Sequence, residues 1–551
     1  MFRTCKNFFR TMILTLLSCF TTTTLTNAAS GDGKILFIPH DDRPISYHQT
    51  VEVVEQLGYE IIAPPKNLLN DSETMGQPDE LWNWLFENVK GAKSAVISSD
   101  SLLYGGLIPS RKHEVTEEIL NRRLENFSKL RQENPDLKIY IFDSLMRTPK
   151  QGTKGDIEEP EYYVRHGANI FQYSMLADKK EIYGLSLSEE ILMRDLKNKI
   201  PAEIFSDWLA RRKKNLAATK KIIEMTANGE INYLIIGRDD NSPLSQTHRE
   251  YREIISCAEK NNLPKTKFQC MPGIDEFNLL LLTRAVNEMR GEIPKVSVQF
   301  NKGKGGETVP AFSDEKISAS IDSAITIAGA KKISRANDAD FVLLVNTDKD
   351  GKTLWGHNPV PDGRTFTPNL IPSDSTKNFA KLVEKNLEKN LPIGIADINF
   401  ANGADNALMK ILQEKNFLFR LQSYSGWNTA TNSTGFALAT GILAKNMSET
   451  SKQKLLARRL LDDWGYQANV RTIVGNEIVK NFGDASLYYN FIDKRSWAEN
   501  LNTKLLNDFA EKNLPHFDFL KNFTVKNPWN RMFECDIEFG SCIDSGIRDK
   551  S

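Results

Sequence analysis

The chain has 551 residues, enough for large buried cores and for two or three domains. Lys+Arg and Asp+Glu both number 71, so the formal charge is zero; no basic stripe interleaved with aromatics occurs, which excludes nucleic acid as the main partner. After residue 30 no apolar run reaches the ~18–20 residues that span a bilayer.

In chain order the first 29 residues read as a secretory signal peptide. Arg3, Lys6 and Arg10 precede an apolar stretch from Met12, and small residues close it at Ala28-Ala29. Leu16-Leu-Ser-Cys19 is a second reading, a lipobox with a Thr-rich tether behind it. Either way the mature chain is expected outside the cytoplasm, in the periplasm or secreted. Four cysteines then remain, an even count that permits bridges in an oxidising compartment, with Cys535 and Cys542 the closest pair.

Apolar runs bounded by turn residues predict strands at 34–38, 59–63, 94–98, 138–142, 232–236 and 266–270, with a second series at 295–300, 325–329, 340–345, 392–396 and 417–421. Amphipathic periodicity predicts helices at 47–57, 78–89, 116–133, 186–198, 202–227, 274–290, 374–389, 404–414 and 430–444. Strands alternating with helices give an α/β fold with parallel sheets. The expected organisation is an N-terminal α/β domain over 30–290 and a second doubly wound α/β domain over 291–445, followed by a helical C-terminal extension over 446–551. The N-terminal domain is barrel-like or doubly wound, and the sequence leans towards the barrel. The stretch 146–180 lacks clear periodicity and reads as a long substrate-contacting insertion.

The informative pattern is that strand after strand ends in acids or amides. Residues Ile38-Pro-His-Asp-Asp-Arg-Pro44 deliver Asp41, Asp42 and Arg43 to one spot. Asp100 follows the third strand, with Tyr104-Gly-Gly and Arg111 close behind. Arg238, Asp239 and Asp240 follow the fifth, and Asp275 and Glu276 follow the sixth. In the second series Asp397, Asn402 and Asp405 come after one strand, Trp427 and Asn428 after the next. In parallel α/β sheets the carboxyl ends share one edge, where ligands bind. Any single acid there is equally well a helix cap or part of a structural ion pair, but six such clusters predict a carboxylate-lined pocket. Trp427 and Tyr104 would add flat apolar faces that suit a sugar ring.

These segments together resemble a bacterial family known as domain of unknown function 4127. The resemblance rests on Ile38-Pro-His-Asp-Asp-Arg-Pro44, Asp100 with Tyr104-Gly-Gly-Leu107 and Ser110-Arg111, Arg238-Asp-Asp240, and Pro272-Gly-Ile-Asp-Glu276. Asp397 with Asn402-Gly-Ala-Asp405, and Tyr424-Ser-Gly-Trp-Asn-Thr429, complete it. It covers roughly residues 34–445 and departs at His40, where a small or apolar residue is expected. It implies relatives and no activity.

The chemistry these residue types favour is a glycoside hydrolase or related carbohydrate-active enzyme with a small-molecule or glycan substrate. Such an enzyme needs two carboxyl groups of different pKa. Asp239 or Asp240 with Glu276 are the expected acid and base, so Glu276→Gln should abolish turnover with folding intact. Asp41, Asp42, Asp100, Asp275, Asp397, Asn402, Asp405 and Asn428 would grip hydroxyls, Arg43, Arg111 and Arg238 would clamp carboxylates, and Tyr104 and Trp427 would stack on the ring. No resident cofactor is expected. Two alternatives remain: a hydrolase in which the Asp cluster binds a divalent metal, helped by His40, His113, His166, His248 or His357, and a non-catalytic two-lobed sugar-binding protein. Serine-triad chemistry is set aside because no GxSxG elbow occurs.

Overall fold

A computed structural model describes residues 33–355, 361–517 and 520–539. The expected signal peptide, Cys19, His357, and Cys542 with its expected bridge to Cys535 lie outside the described residues. Strands β1 (Lys34–Ile38), β2 (Glu60–Ile62), β3 (Ala92–Ser98), β4 (Lys138–Leu145), β5 (Tyr233–Arg238) and β6 (Phe268–Pro272) form one all-parallel sheet in the order β2-β1-β3-β4-β5-β6. Its edges, β2 and β6, are not paired with each other, so the sheet is open and doubly wound rather than a barrel. The inner strands read as unbroken apolar runs because helices cover both faces.

The second sheet repeats the design. After β7 (Lys295–Phe300), β8 (Lys331–Lys332) and β9 (Phe341–Asn346) come β10 (Leu354–Trp355), β11 (Ile393–Asp397), β12 (Phe400–Ala401) and β13 (Ser423–Ser425). Five of these form a parallel sheet in the order β13-β11-β9-β7-β8, while β10 and β12 make a small parallel pair. In each sheet the first strand lies between the second and third, the order that creates a switch point beside β1 and β7.

The two sheets share one core. Helix Phe277–Arg290 packs on the first sheet and against helix Ala430–Ala444, which lies on the second. Phe37, Tyr140, Phe277, Leu280, Val286, Phe341, Leu343, Ala437 and Ile442 belong to a single apolar cluster. Apolar packing is therefore continuous between the two sheets. Every residue of helix Ala430–Ala444 except Thr440 is buried, as its place between two sheets requires.

Most expected elements form within a few residues of their predicted bounds, with instructive exceptions. The strand expected at 325–329 is the end of helix Ile317–Ile327, where Ile317, Ile321, Ala324 and Ile325 repeat at helical spacing and are all buried. The strand expected at 417–421 gives way to the short 3₁₀ turn Leu418–Arg420, and β13 follows two residues later. β13 is polar in sequence but buried, because Ser423 donates to the Ala437 carbonyl at 2.6 Å. The stretch expected to be irregular becomes helix Tyr163–Tyr183 from residue 163 onward.

Beyond residue 446 the chain is helical as expected, through Glu449–Arg459, the π-helical segment Leu460–Val470, Arg471–Phe482 and Arg495–Asn513. It is more than an extension. Strands β14 (Thr524–Lys526) and β15 (Asp536–Glu538) pair as an antiparallel hairpin, and the loop between them returns to the first sheet. There the Trp529 indole donates to Asp42 at 2.7 Å and Arg531 pairs with Glu158 at 2.9 Å. Among the described residues no helix is long and apolar enough to cross a membrane.

Candidate functional site

The carboxyl edge of the first sheet, the loops after β12 and β13, and the C-terminal return loop enclose a cavity of about 200 Å³. Five arginines reach its wall: Arg43, Arg111, Arg147, Arg471 and Arg531. The acids among them are Asp156, Glu158, Asp239, Asp240, Asp275 and Glu534, and Trp427, Phe312 and Phe533 add aromatic faces.

The segment after β1 builds one side. Asp41 is fully buried and accepts from the Arg43 backbone N–H at 3.1 Å and from its Nε at 2.8 Å. The Arg43 Nη2 is thereby aimed at Asp275 Oδ1, 2.7 Å away, with His40 Nε2 packed 2.9 Å behind it. On its other oxygen Asp275 accepts from Asn432 at 3.1 Å and Asn428 at 3.4 Å, which ties the two sheets together. Burial pushes the Asp275 carboxyl up, but Arg43 and His40 more than offset this and hold it well below the usual carboxylate range.

Opposite stands a lattice of alternating charge. β5 ends at Arg238, and the turn presents Asp239 to Arg111 Nη2 at 2.7 Å and Asp240 to Arg147 Nη1 at 2.7 Å. Arg147 Nε also donates to Glu159 at 2.6 Å. Glu158 is shared by Arg111, Arg147 and Arg531 at 3.2, 2.9 and 2.9 Å. Burial raises the Glu158 carboxyl, and the three guanidinia outweigh that and hold it well below its ordinary range. Asp240 goes the other way. Enclosure by protein, and then the charge of Asp239, push it up to about 7 in spite of Arg147, although 26% of its side chain faces the cavity. The cavity thus holds a carboxyl that is half protonated near neutrality and carboxylates kept ionised.

The second sheet contributes Asn402, Trp427 and Asn428, with the Asn402 N–H bonded to the Asn428 carbonyl at 3.0 Å. The π-helical segment holds both loops in place. The Asp463 carbonyl accepts from the Ala404 N–H at 3.1 Å and its carboxylate from the Gly426 N–H at 2.7 Å, while Arg459 pairs with that carboxylate. Of the ten non-glycine residues described with positive φ, four line the cavity: Asp240, Phe312, Asn402 and Asn428. Asp and Asn tolerate this region, but for Phe312, at φ 64°, it costs on the order of 1–3 kcal/mol. Strain of that kind concentrates at ligand sites.

Of the residues singled out in the sequence, Arg43, Arg111, Asp239, Asp240, Asp275, Asn402, Trp427 and Asn428 meet at the cavity. The others do not, and each has a local reason. Asp41 lies beneath Arg43 as its orienting partner. Asp42 is turned to Trp529, and burial raises its carboxyl to about 6. Asp100 is buried beneath the wall, where burial and neighbouring Asp143 push it well up. Tyr104 stacks on His113, ring centroids 4.6 Å apart, and does not face the cavity. The Gly105-Gly106 turn, at φ 95° and 137°, brings the backbone against Gly76, Asn70 and the His40 carbonyl rather than against a ligand. Arg238 points back to pair with Asp314 and Glu315 at 2.8 and 2.9 Å.

Glu276 is the largest correction. Its carboxyl is fully buried beside Gly273, with its stem against Gly435 of helix Ala430–Ala444, and it is not part of the cavity wall. A side chain at Gly435 would collide with it. With neither oxygen hydrogen-bonded, burial pushes it well above its ordinary range, as expected of a protonated, neutral group. In the second sheet Asp397 accepts from Asn346, the Asp405 N–H and the Tyr424 hydroxyl, and Asp405 caps helix Asn406–Glu414. Both hold the fold.

Arg147 and Glu158 lie in the insertion 146–180, which the sequence marks only as a whole, and nothing in the sequence singles out Arg471, Arg531, Phe533 or Glu534. The last four lie in the C-terminal region, where no strand-end pattern exists to mark them. Among the described residues no group of three or more His, Cys, Asp and Glu side chains stands close enough to hold a metal ion. Cys257 and Cys270 are free, and buried Cys535 contacts Asp462 at 3.4 Å.

The chain belongs to a family of proteins of unknown function, DUF4127, whose model matches residues 35–538 and so takes in both sheets and the C-terminal return loop. No curated protein matches the sequence.

Proposed function

We propose that the protein is a carbohydrate-active hydrolase of the glycosidase type, working outside the cytoplasm, with Asp240 as its general acid. The observation that carries this reading is a pair of unlike carboxyl groups lining one cavity: Asp240, raised to about 7, and Asp275, held well below the usual range by Arg43. A group that is half protonated near neutral pH is suited to protonate a leaving glycosidic oxygen. Asp239 or the ionised Asp275 would then stabilise positive charge at the anomeric carbon or activate water. Trp427, a buried residue of the cavity wall, offers a face for a sugar ring, and Asn402 and Asn428 offer amides for its hydroxyls. The basic and then apolar leader supports the location.

The metal-dependent alternative has no ligand cluster among the described residues to carry it. The test is turnover of a panel of aryl glycosides by full-length mature protein, with and without chelator, for the wild type and Asp240→Asn. The reading predicts chelator-insensitive release of aglycone that Asp240→Asn removes. Turnover that vanishes with chelator, or that survives Asp240→Asn unchanged, would overturn it.

A further inference from the structure

Arg471 differs from the other arginines of the cavity. Arg43 is matched by Asp41 and Asp275, Arg111 by Asp239 and Glu158, Arg147 by Glu158, Glu159 and Asp240, and Arg531 by Glu158 and Glu534. No carboxylate of the described residues pairs with Arg471. Its Nε donates to the Tyr488 hydroxyl at 2.6 Å and its Nη1 to Gln467 Oε1 at 2.8 Å, both neutral acceptors. The Phe533 ring lies 4.4 Å from its guanidinium carbon and the Tyr488 ring 5.4 Å. The side chain is only 2% exposed, yet it forms part of the cavity wall.

A guanidinium cannot shed its proton to escape burial. A buried charge without a counter-charge costs several kcal/mol. Glu534, the acid that the C-terminal region contributes to the wall, is occupied by Arg531 through both oxygens, at 2.8 and 2.6 Å. Tyr488, Gln467 and Phe533 hold the Arg471 fork in a fixed plane and leave its remaining N–H groups to the cavity. Such a planar fork matches two oxygens of a carboxylate or phosphate.

We infer that the ligand of this cavity carries an oxyanionic substituent, a carboxylate or a phosphate ester, and that Arg471 receives it. As a statement about substrate class, an acidic sugar rather than a neutral one, this rests on the carbohydrate reading above. The anion would give Arg471 the local counter-charge that no carboxylate of the described residues supplies.

The test is calorimetric titration of the full-length mature chain with methyl galactoside and methyl glucoside, with galacturonate and glucuronate, and with galactose 6-phosphate and glucose 6-phosphate. Acetate and inorganic phosphate serve as sugar-free probes. Acidic sugars are expected to bind at least tenfold more tightly than their neutral parents, and the better of the uronate and phosphate arms identifies the anion. Arg471→Met should erase that preference, weakening the acidic sugars at least tenfold more than their neutral parents, with a modest fall in thermal midpoint because the Tyr488 hydroxyl and Gln467 Oε1 lose their donor. Arg471→Lys, which keeps charge but loses the fork, should fall between. Equal binding of neutral and acidic sugars, or a preference that survives Arg471→Met, overturns the inference. So does a loss for Arg471→Met that is equal for neutral and acidic sugars, which would make Arg471 part of the scaffold. If no sugar binds but acetate or phosphate does so through Arg471, the anion site stands and the carbohydrate reading falls; if no probe binds, both fall.

Discussion

The two sheets are built to the same order and both end their strands in acids, yet those acids do different work. At the first sheet, Asp239, Asp240 and Asp275 each face a guanidinium and line the cavity. At the second, Asp397 and Asp405 face amides, a tyrosine and backbone N–H groups, and none of these supplies a countercharge. Burial, and then the neighbouring Asp405, push Asp397 up to about 7, and it serves as a latch for the loop after β11. The strand-end acids that line the cavity each meet an arginine, whereas Asp397 and Asp405 meet only neutral donors and hold the scaffold.

The largest test of this contrast is Asp240→Asn, which should lower turnover by ~10²–10⁴-fold with little change in stability. The matching change across the molecule, Asp397→Asn, should leave turnover within a few-fold. Equal losses in both would erase the distinction. Next comes Arg147→Met, which leaves Asp240 without its guanidinium and takes one from each of Glu158 and Glu159. Removing one partner from a buried ionic cluster costs about 3–5 kcal/mol, read as a lower midpoint in urea. Trp427→Ala should weaken ligand binding by roughly tenfold through lost ring contact, and an unchanged affinity would place Trp427 in the core alone.

The smallest effect concerns pH. Asp240 and Asp397 are raised to about 7, Asp143 and Asp463 to about 6, in each case first by burial. Unfolded, such groups titrate near 3.9. Between these values the folded chain binds more protons than the unfolded one, so stability is fully present below about pH 4 and is lost as pH rises through 6–7. Thermal midpoints should thus be higher at pH 5 than at pH 8, and Asp397→Asn should flatten part of that slope. Glu276→Gln, which keeps shape and removes a titratable group, should raise the midpoint at pH 8 and leave turnover intact. Loss of turnover there would return Glu276 to the chemistry.

The fold was largely legible because its strands are unbroken apolar runs and its helices periodic; the failures came where a β-branched helix end mimicked a strand and where β13 hid in serines. The shared core was not legible, since Phe277–Arg290 and Ala430–Ala444 meet across 140 residues of sequence. Half of the site was visible as strand-end acids. Which of them face outward depends on arginines far away in the chain, and Arg471 and Arg531 sit on elements without such a signature. Glu276 shows the limit from the other side: the right residue type at the right strand end, turned inward against Gly435.

The most direct test is the rate–pH profile of aryl-glycoside turnover. A general acid at Asp240 predicts a basic limb that falls with an apparent pKa near 7 in the wild type and is absent from the residual activity of Asp240→Asn. A variant with the same limb and the same rate would contradict the assignment of the working site to the first sheet's edge.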